Sequence, residues 1–150
     1  MQEIRNLSRL FPLILVLFLF CSFPAQAENS SFIKVQVEQI NKVIAENSTS
    51  PNDRKAVFSV DNANRIITLT FEFNKSLAGQ DRGSLQVIAT MLPNALIQTV
   101  YLKTAGIIDG KIIGERFIKA LQNDNYVMKV IIKGTDQQFE FEYPVRSLTL

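Results

Sequence analysis

Residues 126–145 read YVMKVIIKGTDQQFEFEYPV, and this stretch decides the fold class. Apolar and polar residues alternate on either side of Gly134–Gln137, a segment of turn-forming residues, and this pattern predicts an antiparallel hairpin. Placing Lys133 opposite Gln138 brings the apolar residues of both strands to one face. The apolar pairs in this register are Ile132 with Phe139, Val130 with Phe141, and Met128 with Tyr143.

The opposite face of this hairpin carries charged residues. The same register sets Lys129 across from Glu142 and predicts a cross-strand ion pair between them. Pro144 has no backbone N–H to donate to a neighbouring strand, so we expect the last strand to lie at a sheet edge.

An earlier part of the chain predicts another hairpin. Strands at Lys55–Val60 and Arg65–Asn74 flank the turn-forming segment Asp61–Asn64, and the predicted register pairs Val60 with Arg65. This register gives one apolar face and one face that is polar except for Ile66. The apolar face contains Ala56, Phe58, Ile67, Leu69, Phe71 and Phe73.

Three further segments have apolar residues at helical spacing. Phe32–Ala45 is predicted to be a helix that buries one face. Ser84 is predicted to cap a short helix that stops at Pro93. A third helix is predicted from Asp109, as its cap, to Leu121. The buried face of the first helix contains Ile33, Val37, Ile40 and Ile44.

Leu96–Lys103 is rich in β-branched and aromatic residues and is predicted to be a strand. Together these elements indicate a single α+β domain. We expect about five mostly antiparallel strands, made of two hairpins plus one strand, with two or three helices packed on one face.

The N-terminus has the order of a secretory signal peptide. Arg5 and Arg9 precede an apolar run that ends at Cys21, and Ser22 and Pro24 are expected to break any helix there. Small residues follow, and the predicted cleavage site lies between Ala27 and Glu28, with Ala25 at the −3 position. Residues 1–27 are therefore predicted to be removed, leaving residues 28–150 as the single domain in the periplasm or outside the cell.

The sequence disfavours two alternatives for this segment. An uncleaved anchor needs a longer run, because about 20 apolar residues are required to cross a bilayer. Lipid attachment at Cys21 needs small residues just before the cysteine, whereas Phe18–Phe20 are bulky.

Composition excludes several classes of enzyme. The chain has no histidine and no tryptophan, and its one cysteine, Cys21, lies within the predicted signal peptide. Serine–histidine and cysteine–histidine catalysis and histidine-ligated zinc are therefore excluded. The formal net charge of +2 falls to +1 without Glu3, Arg5 and Arg9, which gives no general attraction to nucleic acid.

Two segments superficially suggest chemistry. Glu140 and Glu142 project from one face of a strand at about 7 Å, a spacing compatible with a pair of catalytic carboxylates, although strand alternation alone puts charges there. Gly106–Gly114 contains several glycines but lacks the hydroxyl residue that a phosphate loop needs after Lys111. We assign no catalytic, cofactor-binding or metal-binding residue, and expect no cofactor.

Three functions are compatible with these observations. The first is a non-catalytic protein-binding module of the cell envelope, whose partner is another envelope protein that binds at an exposed sheet edge. The second is a carrier that holds a small apolar ligand between sheet and helices. The third is an enzyme that works with carboxylates. The first is the one we predict, with no nucleic-acid partner and no membrane span after cleavage. Phenylalanines supply the apolar surface for the second, namely Phe58, Phe71, Phe73, Phe117, Phe139 and Phe141.

Overall fold

The structure, a computed structural model, describes the backbone of residues 4–47, 54–104 and 107–150, and the side chains of residues 26–47, 55–102 and 109–150. The segment between the first predicted helix and the first predicted strand lies mostly outside the described residues. The helices and strands are α1 (Ile4–Asn47), β1 (Arg54–Asp61), β2 (Ile66–Phe73), α2 (Arg82–Thr104), α3 (Ile107–Asn123), β3 (Val127–Lys133) and β4 (Gln138–Pro144), followed by a short 3-10 turn at Val145–Ser147.

The chain divides into two units, Met1–Phe32 and Ile33–Leu150. The second unit contains the whole sheet, α2, α3 and the C-terminal part of α1, and it is an α+β domain as predicted. Within α1, Ile33, Val37 and Ile40 are buried as the helical spacing predicts, whereas Ile44 is half-buried. The helix is longer than predicted and continues through Ser22–Pro24, where a break was expected. A proline inside a helix removes one backbone hydrogen bond but does not always end the helix.

In the described part of the chain, four strands form a mixed sheet in the order β1-β2-β3-β4. The outer pairs are antiparallel, and the central strands β2 and β3 are parallel. A parallel pair needs a crossover, which α2 and α3 provide. One face of the sheet is buried under the helices, and its residues include Phe58, Leu69, Val130 and Phe141.

The C-terminal hairpin has the predicted register throughout, with Ile132 opposite Phe139 and Lys129 opposite Glu142. The first hairpin differs from the prediction by two residues, because Val60 lies opposite Ile67 rather than Arg65. Arg65 belongs to the turn, where its φ of 55° is left-handed. Since side chains in a strand alternate with a period of two, this shift leaves the predicted buried face unchanged.

The predicted strand at Leu96–Lys103 is wrong, because these residues form the C-terminal half of α2. The helix continues through Pro93 with the same buried face, to which Leu85, Ala89 and Ile97 contribute. The sheet therefore has one strand fewer than expected. Ser84 is not the cap of α2. The carboxylate of Asp81 accepts hydrogen bonds from the Ser84 backbone N–H (2.9 Å) and hydroxyl (3.2 Å), so Asp81 caps the helix.

Candidate functional site

The two edges of the sheet differ in what covers their backbone. At the β1 edge, the side-chain amide of Asn41 on α1 donates to the carbonyl oxygen of Phe58 and accepts from the Phe58 N–H, both at 2.7 Å. These are the two hydrogen bonds that a neighbouring strand would make at this position. Asn41 therefore takes the place of a partner strand in the middle of β1.

Two described side chains donate to backbone carbonyl groups of β4. The Ser147 hydroxyl donates to the last of them, that of Pro144, at 3.2 Å. The guanidinium of Arg82, at the start of α2, donates to the carbonyl oxygen of Glu140 at 3.3 Å and lies 5.0 Å from the centroid of the Phe141 ring. Backbone groups alternate in direction along an antiparallel strand, so Gln138 and Glu142 also direct their N–H and C=O groups outward. This edge presents backbone donors and acceptors to solvent, as the position of Pro144 predicts.

Charged side chains lie along β4 on the open face of the sheet. The predicted ion pair between Lys129 and Glu142 is wrong, because the Lys129 Nζ lies 2.7 Å from the carboxylate of Glu140. Glu140 is the diagonal neighbour, which a long lysine side chain can reach across an antiparallel pair. The hydrogen bond that Lys129 donates to Glu140, together with the negative charges of Glu140 and Glu142, raises the pKa of Lys129. Glu142 is exposed beside this pair.

The two carboxylates considered for catalysis are both on this exposed surface. Glu140 is held by Lys129 and also accepts a hydrogen bond from the Gln138 side chain at 3.1 Å. A general acid needs a carboxyl group in apolar surroundings that favour its protonated form. The described contacts of the Glu140 carboxylate are polar, with Lys129 and Gln138. The enzyme hypothesis remains a prediction.

The phenylalanines proposed to surround a ligand lie mainly in the core. Phe58, Phe71, Phe117 and Phe141 are buried, and Phe71 makes an edge-to-face contact with Phe73 at 4.7 Å between ring centroids. A surface pocket of about 170 Å³ lies elsewhere, between the end of α3 and β4, next to Tyr126, Val145 and Arg146. Pockets for small ligands are usually about 300–1,000 Å³, so this pocket does not favour a carrier.

The outer side of α2 is apolar. Val87 is 57% exposed, Met91 is 65% exposed, and Ile88 and Leu102 are 41% exposed each. With the exposed Ala95, these residues form a row that we call the α2 stripe. Sequence reasoning missed it because α2 was predicted to stop at Pro93. The available signal was the run Gly83–Leu102, which has no charged residue.

Among the described residues, one helical stretch, Arg82–Leu102, is long and apolar enough to span a membrane by length and composition, and one third of its window is buried inside the protein. Apolar residues on both its core-facing side and the α2 stripe account for this composition. The predicted cleavage residues lie on α1, where Ala27 and Glu28 are exposed, while the side chain of Ala25 is outside the described residues.

The described part of the chain contains no group of three or more acidic, cysteine or histidine side chains placed to bind a metal ion. Comparison with known proteins gives no match: no protein-family model, no characterised protein and no solved structure is significantly similar to this chain.

Proposed function

We propose that this protein is a non-catalytic binding module of the cell envelope, which is exported and binds another protein by adding a strand of that protein to the outer edge of β4. The observation that carries the proposal is the difference between the two sheet edges. Asn41 makes both hydrogen bonds of a partner strand in the middle of the β1 edge. At the β4 edge the described side chains reach only two carbonyl oxygens, those of Glu140 (from Arg82) and Pro144 (from Ser147), and no outward N–H. Natural sheets usually cover or block an edge that has no partner.

The side chains of β4 define which strand would fit. Gln138, Glu140 and Glu142 share the open face, and only Glu140 among them is paired with a lysine. A partner strand that carries lysine or arginine on this face would gain cross-strand pairs with the acidic residues. Backbone hydrogen bonds would supply affinity, and these charges would supply selectivity. Pro144 sets the C-terminal limit of the added strand.

A proline substitution at Glu142 tests this proposal. Glu142→Pro removes an outward N–H without touching the Lys129–Glu140 ion pair, and we expect it to abolish recovery of the partner from a cell-envelope extract. The matched control is Ala56→Pro, which removes an outward N–H from the β1 edge. Circular dichroism and thermal unfolding establish that both variants are folded.

A second variant addresses the charges without changing the backbone. Glu142→Lys should weaken binding of a basic strand through like-charge repulsion, and the effect should decrease at high salt. Equal capture by wild type, Glu142→Pro and Ala56→Pro would contradict strand addition at β4. The failure to recover any partner from the native host at natural abundance would contradict the binding function itself.

A further inference from the structure

The α2 stripe is the largest row of exposed apolar side chains in the described part of the chain, and it lies on the side of α2 opposite the core. Its members follow one side of the helix, because they are spaced by four, four and seven residues: Val87, Met91, Ala95 and Leu102. The row from Val87 to Leu102 is about 22 Å long at the helical rise of 1.5 Å per residue. Contiguous apolar surface of this kind marks an interaction site.

We propose that the α2 stripe is the interface between two copies of this protein, which associate as a two-fold symmetric dimer through antiparallel α2 helices. This proposal is independent of strand addition at β4. It rests on three features of the stripe: its lack of charge, its size pattern, and the direction of the one arginine at its N-terminal end.

The lack of charge suits a two-fold axis. Near such an axis each residue meets its own copy or a close neighbour of it, so any charge there would meet the same charge. No charged residue occurs from Gly83 to Leu102, over the full length of the stripe. The antiparallel arrangement also places the positive end of each helix dipole beside the negative end of the other.

The sizes of the side chains are self-complementary about Ala95. This small residue lies at the middle of the stripe, where the helices would approach most closely, and larger residues lie on both sides of it. An antiparallel pair centred on Ala95 sets Ile88 of one copy opposite Leu102 of the other, and Met91 opposite Thr99. Met91 then meets the smaller Thr99 next to the axis, and the two large residues Ile88 and Leu102 cover each other farther from it.

The direction of Arg82 favours a second copy over a lipid surface. Helices that lie on anionic membranes combine an apolar face with lysine or arginine beside it. Arg82, the described cation at the N-terminal end of the stripe, donates instead to the Glu140 carbonyl oxygen and lies over the Phe141 ring. Its guanidinium is thus directed to the sheet edge, away from the stripe.

Site-directed cross-linking tests both the interface and its direction. With Cys21→Ser as background, an introduced cysteine is the only one in the chain. Ala95→Cys lies next to the two-fold axis and should give a dimer with a short thiol cross-linker. Val87→Cys should not cross-link to itself, since two copies lie about 24 Å apart along the axis in this arrangement. A mixture of Val87→Cys and Leu102→Cys should give the dimer again.

Analytical ultracentrifugation gives an independent measure of association. Wild type should sediment with twice the monomer mass, and Met91→Glu should raise the dimer Kd about tenfold or more, as expected for a central apolar contact. Ile112→Glu is the control, because Ile112 is 61% exposed on α3, outside the stripe. It should leave the Kd unchanged.

Three outcomes would overturn the proposal. The first is a monomeric wild type at the highest soluble concentration. The second is self-cross-linking of Val87→Cys as strong as that of Ala95→Cys. The third is a monomer that binds anionic phospholipid vesicles and loses this binding in Met91→Glu.

Discussion

Pro93 lies inside α2 and cannot donate the backbone hydrogen bond that the carbonyl oxygen of Ala89, four residues earlier, would normally accept. The hydroxyl of Tyr143 on β4 donates to that oxygen at 3.0 Å. One tyrosine thus satisfies the carbonyl group that the proline leaves without a helical partner, and it also ties α2 to the sheet. Burial raises the pKa of Tyr143, so the donor stays protonated across the physiological range.

Removal of this hydroxyl should destabilise the fold. Tyr143→Phe leaves the Ala89 oxygen without its donor, and we expect a loss of about 1–2 kcal/mol in the free energy of unfolding. Pro93→Ala restores a helical N–H for the same oxygen, so the penalty should shrink in the double variant. Urea denaturation of the four proteins measures this coupling. An equal penalty in both backgrounds would show that the hydroxyl does not compensate for Pro93.

Asn41 acts at the opposite edge of the sheet. Its amide makes both hydrogen bonds to Phe58, so Asn41→Ala should reduce the free energy of unfolding by about 1–3 kcal/mol. Asn47→Ala is the control, because that amide bonds only to the Val43 carbonyl of its own helix in an exposed position. It should change stability by less than about 0.5 kcal/mol. Equal denaturant midpoints for the two variants would contradict the role given to Asn41.

Three aspartates are expected to make the stability of the fold depend on pH. Hydrogen bonds lower the pKa of each carboxyl below the ordinary value of 3.8: from Asn64 to Asp61, from Ser84 to Asp81, and from Ser76 and Leu77 to Asp136. A group whose pKa is lower in the folded state stabilises the fold above its unfolded pKa. That stabilisation is lost as the pH falls through the folded pKa, so the protein should lose stability below about pH 4.

Asp136→Asn isolates one of these contributions. The Ser76 hydroxyl donates to Asp136 at 2.6 Å and the Leu77 N–H at 2.9 Å, which joins the loop after β2 to the β3–β4 turn. The difference between the urea midpoints at about pH 6 and about pH 3 should be smaller in Asp136→Asn than in wild type. Glu38→Gln, an exposed carboxylate on α1, controls for the loss of one charge. An unchanged difference in Asp136→Asn would contradict the linkage.

At the scale of elements, α3 approaches α2 and the C-terminus at Gly114. A Cβ atom at this position would lie 2.9 Å from the Tyr101 ring and would also clash with Leu150. Alanine usually stabilises a helix by about 1 kcal/mol relative to glycine. Here the clash should outweigh that gain, and Gly114→Ala should cost about 1–3 kcal/mol.

A second substitution separates the two clashes. Leu150→Ala removes one of the two side chains that would clash. In that background Gly114→Ala should therefore reduce the free energy of unfolding by a smaller amount, and the reduction that remains is due to the Tyr101 contact. Thermal unfolding of the single and double variants gives the comparison. If Gly114→Ala raised the melting temperature, the close approach of α3 to Tyr101 would be refuted.

The hairpins were predictable and α2 was not, for a physical reason. Alternation with a period of two fixes which side of a strand is buried, so even a register error at Arg65 left the correct face inward. Pro93 divides α2 in the sequence, and the compensating donor, Tyr143, lies 54 positions away in sequence from Ala89. Local propensity could not anticipate that contact.

Part of the candidate site was also predictable from the sequence. Pro144 correctly indicated that the last strand lies at an edge. The closure of the β1 edge was not predicted, because it depends on Asn41, and no local pattern distinguishes this residue from the other polar residues of α1. The α2 stripe was not predicted, because the C-terminal half of its helix is rich in the β-branched and aromatic residues typical of a strand.

At the scale of the whole molecule, the predicted cleavage between Ala27 and Glu28 is compatible with the packing of the domain. Each buried residue of α1 among those described lies after the cut, beginning with Ile33 and including Gln36, which accepts a hydrogen bond from the Tyr101 hydroxyl at 2.8 Å. Removal of residues 1–27 takes away none of these contacts. The second unit begins at Ile33, five residues beyond the predicted new terminus.

We therefore predict that protein from its native host begins at Glu28, and that its melting temperature equals that of a chain expressed from Glu28. Intact-mass measurement and N-terminal sequencing check the first point. Ala27→Phe puts a bulky residue at the −1 position, where a signal peptidase needs a small one, so it should accumulate the uncut precursor. Val35→Phe, beyond the cut, should be processed normally. A native protein that retains Met1, or one whose mass includes a lipid on Cys21, would contradict cleavage between Ala27 and Glu28. It would also contradict the proposed release of the domain into the compartment where the partner is expected.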